Sequence, residues 1–402
     1  MSRKPLTGLA ALLLACSALS ACTSASTDST DSADPQAAGS DGVEAAAEKP
    51  EPLKISTNLR GDGIAVDRVL EVSATGGTLR DVRVTSAGAQ LPGKLTQDDT
   101  TWRASGRLEP GQAYSVKSVG ERSDGKKVVR TSSFNTQDLT LDEQTYASVA
   151  PLQGETVGVG MPVIVTFDVP VTDKASFEKH MHVDSTPAQA GAWHWLSDTE
   201  AHWRPKSYWK SGTDVSVDID VNSVDAGAGI YGQENREVDF TVGDANIYRV
   251  NMDTHQMKVF SNGSLLRTLP ITTGEEPKFT TRSGVKVIIE KFRKKRMDSE
   301  TVGIANDSED GYNIAGVEYA MRVTYSGEFI HAAPWSVGSQ GSANVSHGCT
   351  GMSTADAGWL YNMSKRGDVV EYTGTDRPMT LDNGYGDWNA DFASWKQGSA
   401  LS

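Results

Sequence analysis

The stretch His331-Ala-Ala-Pro-Trp-Ser-Val-Gly-Ser-Gln-Gly-Ser-Ala-Asn-Val-Ser-His-Gly-Cys349-Thr-Gly-Met-Ser353 gathers a thiol, two imidazoles and a glycine-rich turn into one short run. A thiol attacks only as its thiolate, and imidazoles or the free N–H groups of a tight turn favour that form. Ser346-His347-Gly348-Cys349 therefore points to a nucleophile of lowered pKa at Cys349. Cysteine usage strengthens the reading. Of three cysteines, Cys16 and Cys22 lie in an N-terminal export segment, and Cys349 stands alone in all the rest. A lone thiol in the folded part of an exported protein makes no internal disulfide. It is a buried bystander, an intermolecular bridge or a nucleophile, and the two nearby histidines favour the last.

A histidine followed after a gap by Ser-His-Gly-Cys resembles the signature of the YkuD-type L,D-transpeptidases, bacterial enzymes that cross-link peptidoglycan through a cysteine. Met297-Asp298-Ser299, Gly311-Tyr312, Tyr325-Ser326-Gly327, Ala333 to Gly338 and Arg366-Gly367-Asp368 also look like positions lining or supporting that family's donor pocket. One departure stands out: the family usually has Asn two residues after the nucleophile, and this chain has Gly351.

The resemblance implies acyl transfer through a thioester at Cys349, with D-alanine released from a tetrapeptide stem and a 3-3 cross-link formed with an acceptor stem. His331 would be the base, oriented by the carbonyl of Ala332 or a neighbour, with His347 in support near the oxyanion. The residues alone leave the two histidines in competition, because positions two apart in extended backbone face the same side. Backbone N–H groups of Gly348 and Cys349, with the Tyr312 hydroxyl, would hold the oxyanion. Met297, Trp335, Ser336 and Ser346 would bind substrate, and carbapenem-type β-lactams would acylate the thiol. Two other readings are an L,D-carboxypeptidase or endopeptidase, in which water replaces the acceptor amine, and an inactive wall-binding scaffold, which Gly351 favours.

Outward from this stretch the chain reads as mainly β, with two immunoglobulin-like β-sandwich modules before the catalytic domain. Residues 1–22 have a basic start, an apolar run and Leu19-Ser20-Ala21-Cys22, which resembles a lipobox, with Cys22 the lipidation site. This places the protein outside the cytoplasm, lipid-anchored to the outer face of the cytoplasmic membrane in the wall space. Residues 23–52 are rich in Ser, Ala and acid without apolar period, which predicts a disordered tether. Residues 53–137 and 138–243 show short alternating runs broken by Gly and Asp turns, among them Ile64 to Val72, Leu79 to Thr85 and Pro162 to Asp168. That pattern predicts antiparallel sandwiches.

The second module also carries His180, His182, His194 and His202 among Trp193, Trp195, Trp203 and Trp209; packing explains them better than a metal or glycan site. Residues 244–373 are the catalytic domain, with a hairpin at Asn262-Gly263, a basic run at Lys291 to Arg296 that suits a solvated strand edge, and a helix after the nucleophile capped by Ser353 or Thr354. Residues 374–402 read as an extension packing on that domain. The length of 402 residues fits three small domains, and the net charge of −14 argues against nucleic acid. No phosphate loop or Cys/His ligand spacing is present, so neither cofactor nor metal is expected.

Overall fold

The structure, a computed structural model, describes residues 51–402; the predicted signal segment with Cys22 and most of the tether lie outside the described residues. In the first module a sheet ordered Lys54–Thr57, Glu71–Thr75, Thr101–Ala104, Gly93–Leu95 faces a second built on the long strands Gly77–Ser86, Ala113–Arg122 and Lys127–Thr136. Alternate residues of these strands, Val72, Val84, Trp102, Val116 and Phe134 among them, close the core between the sheets. One expected strand is two. Ile64 to Val72 breaks at a turn, where the Arg68 N–H donates to the Ala65 carbonyl, so Gly61–Ile64 and Glu71–Thr75 join different sheets.

The second module pairs Ala147–Ala150, Val163–Phe167, Glu200–Pro205 and Gly191–Trp195 in one sheet, and Thr156–Val157, Arg236–Val242, Asp214–Ile219 and Met181–Thr186 in the other. Its four tryptophans are buried, as packing required. His180 Nδ1 sits 3.0 Å from the Arg107 guanidinium, which also grips Asp220, so a cation already occupies the space beside that ring.

In the catalytic domain one sheet runs Ser264–Pro270, Gln256–Ser261, Asn246–Asn251, Val369–Thr373, Gly284–Val287. The other runs Glu290–Asp298, Asn313–Arg322, Phe329–Ala332, Thr350–Met352. The basic run lies on the outermost strand of the second sheet, where Arg293 pairs with Glu318 and Arg296 with Asp298. Tyr248, Val259, Met321, Ile330, Met352 and Leu360 fill the core. The helix Thr354–Met363 packs there through Ala357 and Leu360, and the Ser353 hydroxyl accepts the Asp356 N–H to cap it.

The tail packs on the catalytic domain and on the second module as well. Asn389 bonds both backbone groups of Val285 in that domain, and residues on either side of it reach the second module. Trp388 Nε1 donates to the Gly160 carbonyl and Trp395 Nε1 to that of Ala192, while the Arg204 guanidinium stacks on both indoles at 4.8 Å. The tail is a strap across two domains.

Candidate active site

Strands Phe329–Ala332 and Thr350–Met352 run parallel, with His331 opposite Gly351. Cys349 immediately precedes the second strand, and it lines the same cleft as His331. The turn that delivers it is held at the Ser346, Gly348 and Cys349 carbonyls. Gly348 adopts φ 118°, a region that favours glycine, and its carbonyl accepts from the Thr281 hydroxyl at 2.9 Å. The Ser346 hydroxyl donates to the Cys349 carbonyl at 2.6 Å and accepts the Gly348 N–H at 3.1 Å.

This bonding revises the predicted oxyanion site. The Gly348 amide is consumed inside its own turn, whereas the Cys349 N–H has no acceptor among the described residues. Tyr312 stands over the same turn, and burial and the nearby sulfur push its pKa up to about 12, so its hydroxyl remains a donor.

His331 is 6 % exposed, and its Nδ1 donates to the Ala332 carbonyl at 2.8 Å, the partner expected from the sequence. That bond fixes the tautomer and leaves Nε2 with its lone pair toward the cleft. Burial lowers the imidazole pKa and the bond to Ala332 opposes it only in part, so the ring is neutral at neutral pH.

The thiol departs from expectation. Burial pushes the Cys349 pKa up to about 11 instead of lowering it, although the Phe329 N–H works in the opposite sense. The Gly348 amide bonds to the Ser346 hydroxyl within the turn and not to sulfur, which is why the glycine-rich sequence misled. The thiol donates to the Gly327 carbonyl at 3.7 Å, and among the described residues it bonds to neither imidazole. The resting pair is a neutral thiol and a neutral imidazole.

His347 is exposed and lies between two rings, Phe279 at 4.3 Å and Tyr312 at 5.0 Å between centroids. The structure gives it aromatic neighbours and gives His331 the polar anchoring of a base. Two clefts flank the site. One of about 350 Å³ is lined by Met297, Tyr312, His331, Trp335, Ser336, Ser346, His347 and Cys349, which brings together every catalytic and binding residue singled out in the sequence except Gly348. The other, of about 470 Å³, shares Met297 and Tyr312 and adds Lys295, Arg296, Arg322, Tyr325 and Gly327. Trp335 is 57 % exposed and tilts over the His331 ring at 5.9 Å, as a wall of the first cleft.

Gly351 is explained by space. A Cβ there would stand 2.9 Å from the Ala333 Cβ and 3.1 Å from Thr272 Cγ2, so an Asn does not fit. A carboxamide is supplied nearby all the same: Gln340 Nε2 donates to the Ala333 carbonyl at 3.0 Å. Sequence reading missed Gln340, Phe279 and Thr281, because their roles come from tertiary approach and no motif marks them.

Comparison with known proteins agrees with this geometry. A profile of the bacterial Ig domain matches residues 61–225, and that of the L,D-transpeptidase catalytic domain matches residues 245–371. L,D-transpeptidase 2 of Mycobacterium tuberculosis is 34 % identical over 84 % of this chain and 82 % of its own. L,D-transpeptidase 1 of the same species is 40 % identical over 57 % of this chain and 84 % of its own. A solved L,D-transpeptidase in complex with imipenem superposes with a TM-score of 0.50 at 39 % identity, over 56 % of this chain and 98 % of that one. Sandwich modules, a thiol and an anchored imidazole lining one cleft, and relatives matched over most of their length lead to one conclusion: this chain belongs to the L,D-transpeptidase family of enzymes.

Proposed function

We propose that the chain forms 3-3 peptidoglycan cross-links through an acyl-enzyme on Cys349. A tetrapeptide stem displaces the thiol from the Gly327 carbonyl, and rotation about Cα–Cβ brings Sγ toward His331 Nε2. Sulfur attacks the carbonyl of the third stem residue as its proton passes to Nε2. The Cys349 N–H and the Tyr312 hydroxyl receive the oxyanion, a donor of this kind contributing about 3 kcal/mol to transition-state stability. His331 then protonates the leaving amine, the C–N bond breaks, and D-alanine departs from the thioester. An acceptor amine attacks next, gives its proton to His331 and expels the sulfur as the thiol.

The observation that carries this reading is the cleft that Cys349 and His331 line together, with Nδ1 of the imidazole tied to a neutral carbonyl. A neutral base beside a protonated thiol needs no standing ion pair; the proton moves when the carbonyl is in place. The two clefts meeting at Met297 and Tyr312 offer one approach to each stem, and the cations Lys295, Arg296 and Arg322 suit stem carboxylates. By the likeness to the imipenem-bound relative, carbapenems should acylate the same sulfur.

Incubation with a disaccharide tetrapeptide tests the reaction. Dimer and free D-alanine are the expected products, and tripeptide without dimer would make the enzyme a hydrolase. The proposal extends to location: Leu19-Ser20-Ala21-Cys22 would place a lipid on Cys22 and hold the enzyme at the outer face of the membrane. The mass of the N-terminal peptide from cells reads this directly, and an unmodified Cys22 would remove the anchor.

A further inference from the structure

Behind the nucleophile's turn lies a charge pair that the reaction above does not use. Lys286, in strand Gly284–Val287, is 0 % exposed, and Glu328, just before strand Phe329–Ala332, is 6 % exposed. Burial of each ion carries a large desolvation cost, so a buried pair of this kind demands a reason. Lys286 Nζ lies 2.5 Å from Glu328 Oε2, and among the described residues neither atom has another hydrogen-bond partner. The ammonium also sits 3.8 Å from the centroid of the Tyr372 ring. Glu328 Oε1 accepts the Arg282 backbone N–H at 3.0 Å and faces that residue's guanidinium at 3.5 Å.

The pair meets the nucleophile's turn at three places. Glu328 directly follows Gly327, whose carbonyl holds the thiol. Its Cγ would lie 3.9 Å from a Cβ built on Gly348. Tyr372, beneath the ammonium, exchanges a hydroxyl bond of 2.8 Å with Thr350, the residue after the nucleophile.

We propose that the buried Lys286–Glu328 pair is a positioning device that sets the charge Cys349 meets from behind, with Lys286 stabilising sulfur as it becomes negative and Glu328 keeping it protonated at rest. The inference rests on Cys349 being the nucleophile. Around the sulfur, Glu328 opposes ionisation while Lys286 and Arg322 favour it, and the Tyr312 and Tyr372 hydroxyls, the neutral His331 and the exposed His347 are the further titratable groups near it. Arg282 faces Glu328 at 3.5 Å, a second cation on that carboxylate. In a site of low dielectric, fixed charges act strongly on a group that gains charge during the reaction. Both residues act through Cys349 and touch no substrate.

The test is the pH dependence of Cys349 alkylation by iodoacetamide in the full-length chain, read at the Cys349 peptide by mass spectrometry. Lys286→Met should raise the midpoint, slowing alkylation at fixed pH about tenfold for each unit. Adding Glu328→Gln to that variant should restore the rate to within about threefold, since the charge balance returns. Glu328→Gln alone keeps an acceptor for the Arg282 amide and should lower the midpoint. A Lys286→Met midpoint equal to that of the parent, a double variant as slow as the single, or a rise in Glu328→Gln would each overturn the proposal. A purely structural pair would lower the melting temperature without moving the midpoints in opposite directions. Alkylation needs no stem peptide, so failure here leaves the assignment of Cys349 as nucleophile standing.

Discussion

His331 and His202 are both buried, and they behave oppositely. His331 has one polar anchor, the neutral carbonyl of Ala332, and burial leaves its pKa below the ordinary 6.5. His202, in the second module, is held by Asp387 at 2.7 Å and Glu200 at 2.8 Å. Burial pushes that ring down as well, but Asp387 and then Glu200 outweigh it and carry the pKa to about 9. The charge of the partner decides the sign when burial is common to both. One ring is kept as a base, and the other is a fixed cation that ties the tail strap to the second module.

The largest effect that can break this contrast is expected from the base. His331→Gln should slow acylation of Cys349 about 10²–10⁴-fold with the melting temperature little changed, whereas His347→Ala should retain a measurable part of the rate. Stopped-flow acylation by a carbapenem measures both, and the reverse order would transfer the base to His347. Next comes the oxyanion donor: Tyr312→Phe keeps the ring against His347 and should lower the acylation rate about 10²-fold.

The titration of the two histidines sharpens the comparison. Because the His331 pKa is lowered, its base form persists as pH falls, so the acid limb of the acylation profile should lie below 6.5. Because the folded-state pKa of His202 is raised to about 9, its stabilisation is fully present below 6.5 and is lost as pH rises through 9. Thermal melts should show this alkaline decline, and His202→Gln should flatten it. The smallest effect is steric. Gly351→Asn must displace the Ala333 Cβ at 2.9 Å, which should cost about 1–3 kcal/mol in denaturant unfolding without removing any catalytic group.

The catalytic half was more legible in the sequence than the scaffold around it. Ser346 to Cys349 with His331 carries chemistry in local order, and Asn262-Gly263, both at positive φ, turns the hairpin between Gln256–Ser261 and Ser264–Pro270 as that dipeptide implies. The sign of the thiol's shift was not legible. It depends on where the Gly348 amide points and on how far the sulfur is buried, and both are set by approaches from Ser346, Gly327 and Phe329. The strap over the second module escaped for the same reason: Trp388 and Trp395 announce burial, but not against which domain. Lys286 and Glu328 lie far apart in sequence and match no motif, so only the folded chain brings them behind the nucleophile.

The central claim is that one sulfur carries the acyl group. The most direct measurement is to mix the full-length chain briefly with a tetrapeptide donor, in the absence of any acceptor amine, and to map the adduct by peptide mass spectrometry. The account predicts a stem lacking its terminal D-alanine bound to Cys349 through a thioester, absent in Cys349→Ala and delayed in His331→Gln. Turnover that persists in Cys349→Ala, or an adduct on any other residue, would contradict it.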